Sequence, residues 1–309
     1  MSTLTESRIW FVTGSSSGIG KALVSAVLAA NERVVATARN TSALADLQSK
    51  YSSDQLVVLP LDVTDTIQIA EAFTMIEQKF HRLDVVVNGA GYAVLGEIEG
   101  IPEETARKQV EVLFWGPVHI TKEAIRFFRE VNPKGHGGFV VNISSYGGYV
   151  GQAGAAFYSA GKFALEGFTE AFVREMPPEW NIRGIIIEPG NFKTAFLQNL
   201  DVVPPHPAYD ATSPTARVRQ AIGARAVPLP GDVDKFARAV LQVVGAPDRA
   251  RLPLRLPLGP DASLFVSTQA RRTAKDAEEW AELSQGTDSD DSVGSEYMQM
   301  LRQMLSETP

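Results

Sequence analysis

Between Ile9 and Ala30 the chain passes from an apolar run into glycines and out into a helix-forming stretch, and that order leaves few folds open. Ile9-Trp10-Phe11-Val12-Thr13 leads directly into Gly14-Ser15-Ser16-Ser17-Gly18-Ile19-Gly20, which leads into the alanine- and leucine-rich segment Lys21 to Ala30. The first run has no room to be a helix before the glycines, so it reads as a buried strand. The last is built from strong helix formers. Glycines let the backbone approach a pyrophosphate, and free amides at the helix start point at the anion. The spacing is Gly-x-x-x-Gly-x-Gly, not the commoner Gly-x-Gly-x-x-Gly. A glycine loop alone is more often an ordinary turn; the flanking strand and helix are what point to nucleotide binding.

Strand-like runs recur at Arg33-Ala38, Leu56-Leu61, Leu83-Asn88, Gly138-Ser144 and Arg183-Glu188. Helical patterns fill the gaps at Thr66-Phe80, Glu103-Phe128 and Tyr158-Met176. This alternation predicts an α/β fold with a doubly wound parallel sheet and right-handed crossovers. At 309 residues one large domain is the simplest reading. A helix at Asp232-Gly245 and a strand at Leu252-Leu258 would complete the sheet, followed by a polar helix near Ser267-Leu283. Ligands in such sheets bind beyond the carboxyl ends of the strands. Gly14, Arg39, Asp62, Asn88, Ser145 and Pro189 all fall at or just after those ends, around one expected crevice.

Tyr158 and Lys162 share a helix face at i and i+4, with Ser145 thirteen residues upstream. An ammonium beside a phenol favours phenolate and is expected to lower the tyrosine pKa from about 10 toward neutrality. The result would be a general acid or base usable at physiological pH. Separately, each residue has an ordinary reading: a half-buried tyrosine, a snorkelling lysine and a strand-end turn.

Taken in order, Thr13-Gly14-x-x-x-Gly18-Ile19-Gly20, Asn88-Gly89-Ala90-Gly91, Ser145, Tyr158, Lys162, and Pro189-Gly190 with Thr194 resemble a classical short-chain dehydrogenase/reductase. The resemblance runs from about Arg8 to about Thr194. It implies a Rossmann fold, a three-layer αβα sandwich over residues 1–284. It also implies that Tyr158 donates a proton to a carbonyl oxygen, that Lys162 tunes it and holds the ribose hydroxyls, and that Ser145 stabilises the alkoxide. Cofactor contacts carried over are Gly14, Ser16, Ser17, Gly18, Ile19, Gly20, Arg39, Asp62, Val63, Asn88, Ala90, Gly91, Tyr158, Lys162, Pro189, Gly190, Phe192 and Thr194. Asp62 and the Val63 amide would meet the adenine. Gly89 replaces the second asparagine of the family's Asn-Asn-Ala-Gly motif, which puts a sheet-steadying side-chain bond in question.

An acidic residue at the end of the second strand would chelate the adenosine ribose hydroxyls and repel a 2′-phosphate. That position is Ala38, and Arg39 follows it. A guanidinium can grip a 2′-phosphate in a forked pair, so NADP(H) is favoured over NAD(H).

Two further positions depart from the family pattern. Gly161 stands where serine is frequent, and Leu113, three residues before Gly116, stands where relatives carry an asparagine that helps hold a relay water. The first reading is therefore an NADP(H)-dependent oxidoreductase of a fairly apolar carbonyl or alcohol, with Tyr92, Val94, Leu95, Tyr149, Val150, Phe157 and Phe196 near the expected pocket. The second is a non-redox isomerase, dehydratase or cyclase on the same fold, suggested by Leu113. A third, a nucleotide-binding sensor or scaffold, is disfavoured by the intact serine, tyrosine and lysine.

A net charge of −7 argues against nucleic acid as a partner. No cysteine is present, and His81, His119, His136 and His206 have no metal-ligand spacing, so no metal site is expected. No apolar stretch has the length of a membrane span, and the first strand starts by Ile9, so the cytoplasm is the expected compartment. Prolines 204, 205, 207, 214, 228 and 230 are expected to keep residues 195–231 irregular, as a mobile substrate lid. Residues 285–309 read as an acidic linker around Asp288-Ser289-Asp290-Asp291-Ser292 and a frayed tail with Met298, Leu301 and Leu305 at helical spacing. The family resemblance implies a homodimer or homotetramer through helices 103–128 and 158–176.

Overall fold

The computed structural model describes residues 7–248, 251–287 and 294–307. Seven parallel strands form the central sheet: β1 (Ile9–Val12), β2 (Arg33–Ala38), β3 (Leu56–Pro60), β4 (Val85–Asn88), β6 (Gly138–Ile143), β7 (Ile182–Pro189) and β9 (Arg255–Leu258). Their spatial order is β3-β2-β1-β4-β6-β7-β9. The chain winds outward from β1 in one direction and then from β4 in the other, so the switch point lies between those two strands. Pro60 ends β3 opposite Ala38, which is tolerable because β3 is an edge strand.

The strands bury both faces, and successive residues feed opposite layers. Trp10 and Val12 pack with α1 (Gly18–Ala29) and α8 (Val233–Val244) through Leu23, Val27, Phe236 and Val240. Ile9 and Phe11 pack on the other side with α3 (Thr66–Phe80), α5 (Gly116–Glu130) and α6 (Ala156–Glu175), through Phe73, Ile120, Phe127 and Phe172. These layers make the expected Rossmann αβα sandwich.

Helix α3 runs over the expected span because both ends are marked. Asp65 caps it by accepting from the Ile67 and Gln68 amides, and His81 ends it in the left-handed region at φ 54°. The expected continuous helix 103–128 is instead broken. It runs as α4 (Glu103–Val110), a π-helical turn at Glu111–Trp115, and then α5. Pro117 is the physical reason: it has no N–H to offer the Leu113 carbonyl four residues back, so the helix widens there. The remaining helices are the one-turn α2 (Ala45–Gln48), α7 (Pro214–Gly223), α9 (Pro260–Glu279), α10 (Ala281–Gln285) and α11 (Gly294–Glu307).

Residues 195–231 are less irregular than their prolines suggest. A two-residue strand β8 (Asp201–Val202) pairs with β5 (Val94–Leu95) beside the main sheet. Pro214 does not interrupt a helix but starts α7 at its first position, where the missing N–H costs nothing, and Ser213 caps the turn. One strut ties this segment down. Buried Glu97 accepts from Arg219 Nη2 at 3.0 Å and from the His206 amide at 3.3 Å, while Arg219 Nη1 donates to the Val203 carbonyl at 2.5 Å.

At the C-terminus, α9 begins at Pro260, seven residues before the expected start, again with proline at its first turn. Residues 294–307 are helical where a frayed tail was expected. The acidic run 288–292 lies outside the described residues. Among the described residues no helix is long and apolar enough to cross a membrane.

Candidate active site

The ends of β1 and β4 are stitched together by Thr13, whose hydroxyl accepts from the Gly89 and Ala90 amides at 3.1 and 3.3 Å. Gly14 turns the chain at φ 70° and lies so close to this second turn that a Cβ there would sit 2.7 Å from the Ala90 backbone. Ser17 is extended and caps α1 with no side-chain bond, and no acidic residue occupies the first turn of the helix. The amides of Gly18, Ile19 and Gly20 therefore face the crevice with their partial positive charge uncompensated. This donor set fits a pyrophosphate.

Close approaches link this loop to the other predicted residues. A Cβ on Gly18 would stand 3.3 Å from Thr194 Cγ2, so Thr194 covers the loop. A Cβ on Gly91 would be 3.8 Å from Lys162 Nζ. The Lys162 ammonium lies 5.9 Å from the Tyr158 ring centre, and a Cβ on Gly147 would lie 3.3 Å from both Ser145 Oγ and Tyr158 Cε1. Phe196 leans on the Tyr158 ring, centroid to centroid 6.1 Å. The glycine loop, the β4 turn, Ser145, Tyr158, Lys162 and Thr194 thus form one continuous site at the carboxyl ends of the strands.

Other predicted residues sit differently. Arg39 is exposed beyond the end of β2, close enough for its charge to be felt by Tyr92. The Asn88 side chain is turned into the core, donating to Asn142 Oδ1 at 2.7 Å and Thr121 Oγ1 at 3.3 Å, so only its backbone borders the crevice. This bond also supplies the sheet bracing that Gly89 put in question. Phe192 likewise sends its ring into the core against Phe236, at 5.1 Å. Val63 is buried beneath Gly116, and Asp62 accepts from the Thr64 amide and hydroxyl through Oδ1, leaving Oδ2 free of those bonds. The Gly190-Asn191 turn is fixed by Asp261 at the start of α9, which accepts from the Asn191 amide at 2.7 Å. Of the expected pocket residues, Tyr92, Val94 and Phe157 form a small cluster with Ile101, Ala106 and Val203. Tyr149 lies instead under the Arg255 guanidinium.

The expected fall in the Tyr158 pKa is not what the folded chain produces. Burial pushes the phenol up to about 12, only partly offset by its hydrogen bond with Ser145. Burial also pulls Lys162 down to about 8, opposed by the negative charge of Glu166. Sequence spacing places the two groups together but carries no information about the loss of water around them, and here desolvation sets the direction of both shifts. At neutral pH Tyr158 is a phenol, the proton-donating form. The Lys162 ammonium donates to the Ile143 carbonyl at 2.7 Å.

The departures at Leu113 and Gly161 meet in space. Leu113 sits in the π-helical turn and is fully buried, and a Cβ on Gly161 would lie 3.0 Å from Leu113 Cβ. The same leucine would lie 3.1 Å from a Cβ on Gly91. Gly161 is therefore the partner that makes room for Leu113. Gly161→Ser is expected to destabilise the protein by about 1–3 kcal/mol through overpacking. The double variant Leu113→Asn/Gly161→Ser should recover part of that loss, measured as a non-additive midpoint of thermal unfolding.

Sequence reasoning missed Glu166, Glu188, Arg255 and Asp261. A signal existed for the first, which repeats the Tyr158–Lys162 interval one turn further along α6. For the others, only the tertiary fold brings them to the site.

This sheet, with its uncapped glycine-loop helix and its serine, tyrosine and lysine, defines a nucleotide-binding oxidoreductase scaffold. The short chain dehydrogenase family model matches residues 8–202, and the chain belongs to the classical short-chain dehydrogenase/reductase family. It is 35% identical over 287 residues to oxidoreductase calM of Penicillium decumbens, covering 91% of this chain and 93% of that one. A short-chain dehydrogenase from Streptomyces avermitilis superposes with a TM-score of 0.80 at 35% identity, over 93% of this chain and 100% of that one. A family structure from Burkholderia cenocepacia J2315 in complex with NADP shares the fold at a TM-score of 0.67 and 23% identity, over 88% and 97% of the two chains.

Proposed function

We propose that this oxidoreductase is NADP(H)-dependent and reduces the carbonyl of a fairly apolar small molecule, or oxidises the matching secondary alcohol. The observation that carries the reading is the meeting of Ser145, Tyr158 and Lys162 beside the uncapped start of α1. The amides of Gly18, Ile19 and Gly20, with the hydroxyls of Ser16 and Ser17, hold the pyrophosphate. Arg39 takes the 2′-phosphate, and Asp62 Oδ2 and the Val63 amide take the adenine. The backbone from Asn88 to Gly91 borders the adenosine, and Pro189, Gly190, the Phe192 backbone and Thr194 line the nicotinamide end. When bound, the dinucleotide supplies or accepts the hydride. Ser145 Oγ donates to the substrate oxygen and orients it, and Tyr158 delivers the proton that completes the alcohol. Lys162 holds the ribose hydroxyls and keeps a positive charge beside the phenol as it ionises.

Supporting an apolar substrate, Phe196 is 40% exposed against Tyr158, and Tyr92 and Phe157 lie on the neighbouring cluster. We place the protein in the cytoplasm, with residues 195–231 acting as a lid. We also place its dimer or tetramer contact on α4, the π-helical turn, α5 and α6, where Trp115 in the turn and Phe163 in α6 are exposed.

NADPH oxidation against a panel of lipophilic ketones and aldehydes tests the reading. Arg39→Ala should lower the preference for NADPH over NADH by about 10- to 100-fold, the value of a charge-assisted contact of about 1.5–3 kcal/mol. An unchanged ratio removes Arg39 from the cofactor assignment. The apolar Leu113 packed beside Gly161 favours one second reading, non-redox chemistry on the same site. Turnover that begins only with Leu113→Asn would put it first.

A further inference from the structure

One turn beyond Lys162 on α6, three carboxylates converge on a single guanidinium. Arg255 Nη1 pairs with Glu166 Oε2 and lies 3.5 Å from Glu188 Oε1, while its Nη2 reaches Glu170 Oε2 at 3.2 Å. Glu166 and Glu188 are both buried, at 2% and 0% exposure. Ser144 at the end of β6 donates to Glu166 Oε1 at 2.5 Å, and the ring of Tyr149 covers the Arg255 guanidinium. Glu188 Oε2 is sealed from solvent and has no hydrogen-bond partner.

Glu170 also pairs with Arg174, Nη2 to Oε1 at 2.7 Å, so the two buried carboxylates Glu166 and Glu188 are left to share Arg255, an excess of one negative charge away from water. Two buried carboxylates side by side do not both stay ionised. Burial raises Glu166, and it raises Glu188 to about 7, with the negative charge of the neighbouring Glu166 carboxylate acting the same way. A proton on Glu188 turns its orphaned acceptor into a donor and aims it at Glu166. The charge excess and the missing hydrogen bond are relieved by the same proton. On the other side, the negative charge of Glu166, one helical turn away on α6, acts on Lys162 and favours its ammonium form.

We infer that Glu166 and Glu188 share one proton beneath Arg255, and that the negative charge left on the pair is the counter-charge that holds the Lys162 ammonium. Both carboxylates are then positioning residues, acting on the reaction through Lys162. The inference deepens the proposed function and depends on it only for the consequence to turnover. The groups facing the pair are Lys162 and Glu170 from α6, Ser144 from β6 and Arg255 from β9. Glu170 is held on the flank by Arg255 and Arg174, and the Glu166 charge is also felt by Tyr158.

The first test is a nuclear magnetic resonance titration of the Lys162 side chain in dinucleotide-free protein. Removing the carboxylate removes what stabilises the ammonium. Glu166→Gln should therefore lower the Lys162 midpoint by about one pH unit or more, and Glu170→Gln should leave it in place. An unchanged midpoint in folded Glu166→Gln overturns the inference. Should that variant fail to fold, Glu188→Gln decides. The wild type at pH 6 should show the infrared carbonyl band of a protonated carboxylic acid, and the variant should lose it. Absence of the band from the wild type, or its survival in the variant, overturns the shared proton. In turnover, Glu166→Gln should move the alkaline limb of kcat/KM to lower pH by the same amount. A shifted Lys162 midpoint in a protein with no reductase activity would fail the proposed function and leave the pair standing.

Discussion

Tyr158→Phe is expected to lower carbonyl reduction by about 10²- to 10⁴-fold, the contribution of a positioned general acid. The substitution removes one oxygen and little else. The ring still packs on Phe196 and still lies beside Lys162, so the fold and the glycine loop have no reason to move. Dinucleotide affinity measured by calorimetry should accordingly change by no more than a few-fold. The effect should fall on kcat, because the proton is needed only as the substrate oxygen becomes an alkoxide. Undiminished kcat would take the acid role away from Tyr158. Lys162, brought down to about 8 by burial, would then be the nearest alternative donor.

A single methyl group at position 20 should be as damaging by a different route. A Cβ on Gly20 would overlap the Gly14 carbonyl oxygen and lie 2.9 Å from its carbon. Both are backbone atoms of the turn that opens the site, so no rotamer change relieves the clash. Gly20→Ala should cost about 1–3 kcal/mol in stability. It should also weaken dinucleotide binding at least about 100-fold, because the loop can accept the methyl only by moving the amides that face the phosphates. Gly151→Ala is the control, since a Cβ there meets nothing within 4 Å. Equal binding by the two variants would sink the loop assignment.

The parts of this molecule that were legible in the sequence are those governed by local rules. Strand β2 and helix α3 have the expected bounds, because an apolar run and a cap are properties of neighbouring residues. The glycine turn, Ser145, Tyr158 and Lys162 were found because their spacing and order carry the signal. Pro117 was also in plain view, but its effect falls on Leu113 four residues earlier, inside what otherwise reads as one amphipathic helix. Pro214 misled in the opposite sense, because proline breaks a helix interior and favours a helix start. The direction of the Tyr158 pKa could not be read at all, since it depends on how much protein surrounds the phenol. The same holds for Asn88 and Phe192, whose side chains point into the core although their backbones border the crevice. Glu166 and Arg255 are 89 positions apart and meet only when β9 closes the sheet.

The strut between Glu97 and Arg219 concentrates the anchoring of the segment from β8 to α7 at one buried point. A chain held by many weak exposed contacts loosens gradually, like a frayed rope. Here one buried carboxylate holds a guanidinium and the His206 amide, and the same guanidinium holds the Val203 carbonyl, so no member can leave while its partners stay satisfied. The cost of displacing this segment is therefore concentrated at Glu97 and Arg219, where breaking one bond leaves another buried polar group unpaired. In mechanical terms the segment is fastened by a latch, not by a spring.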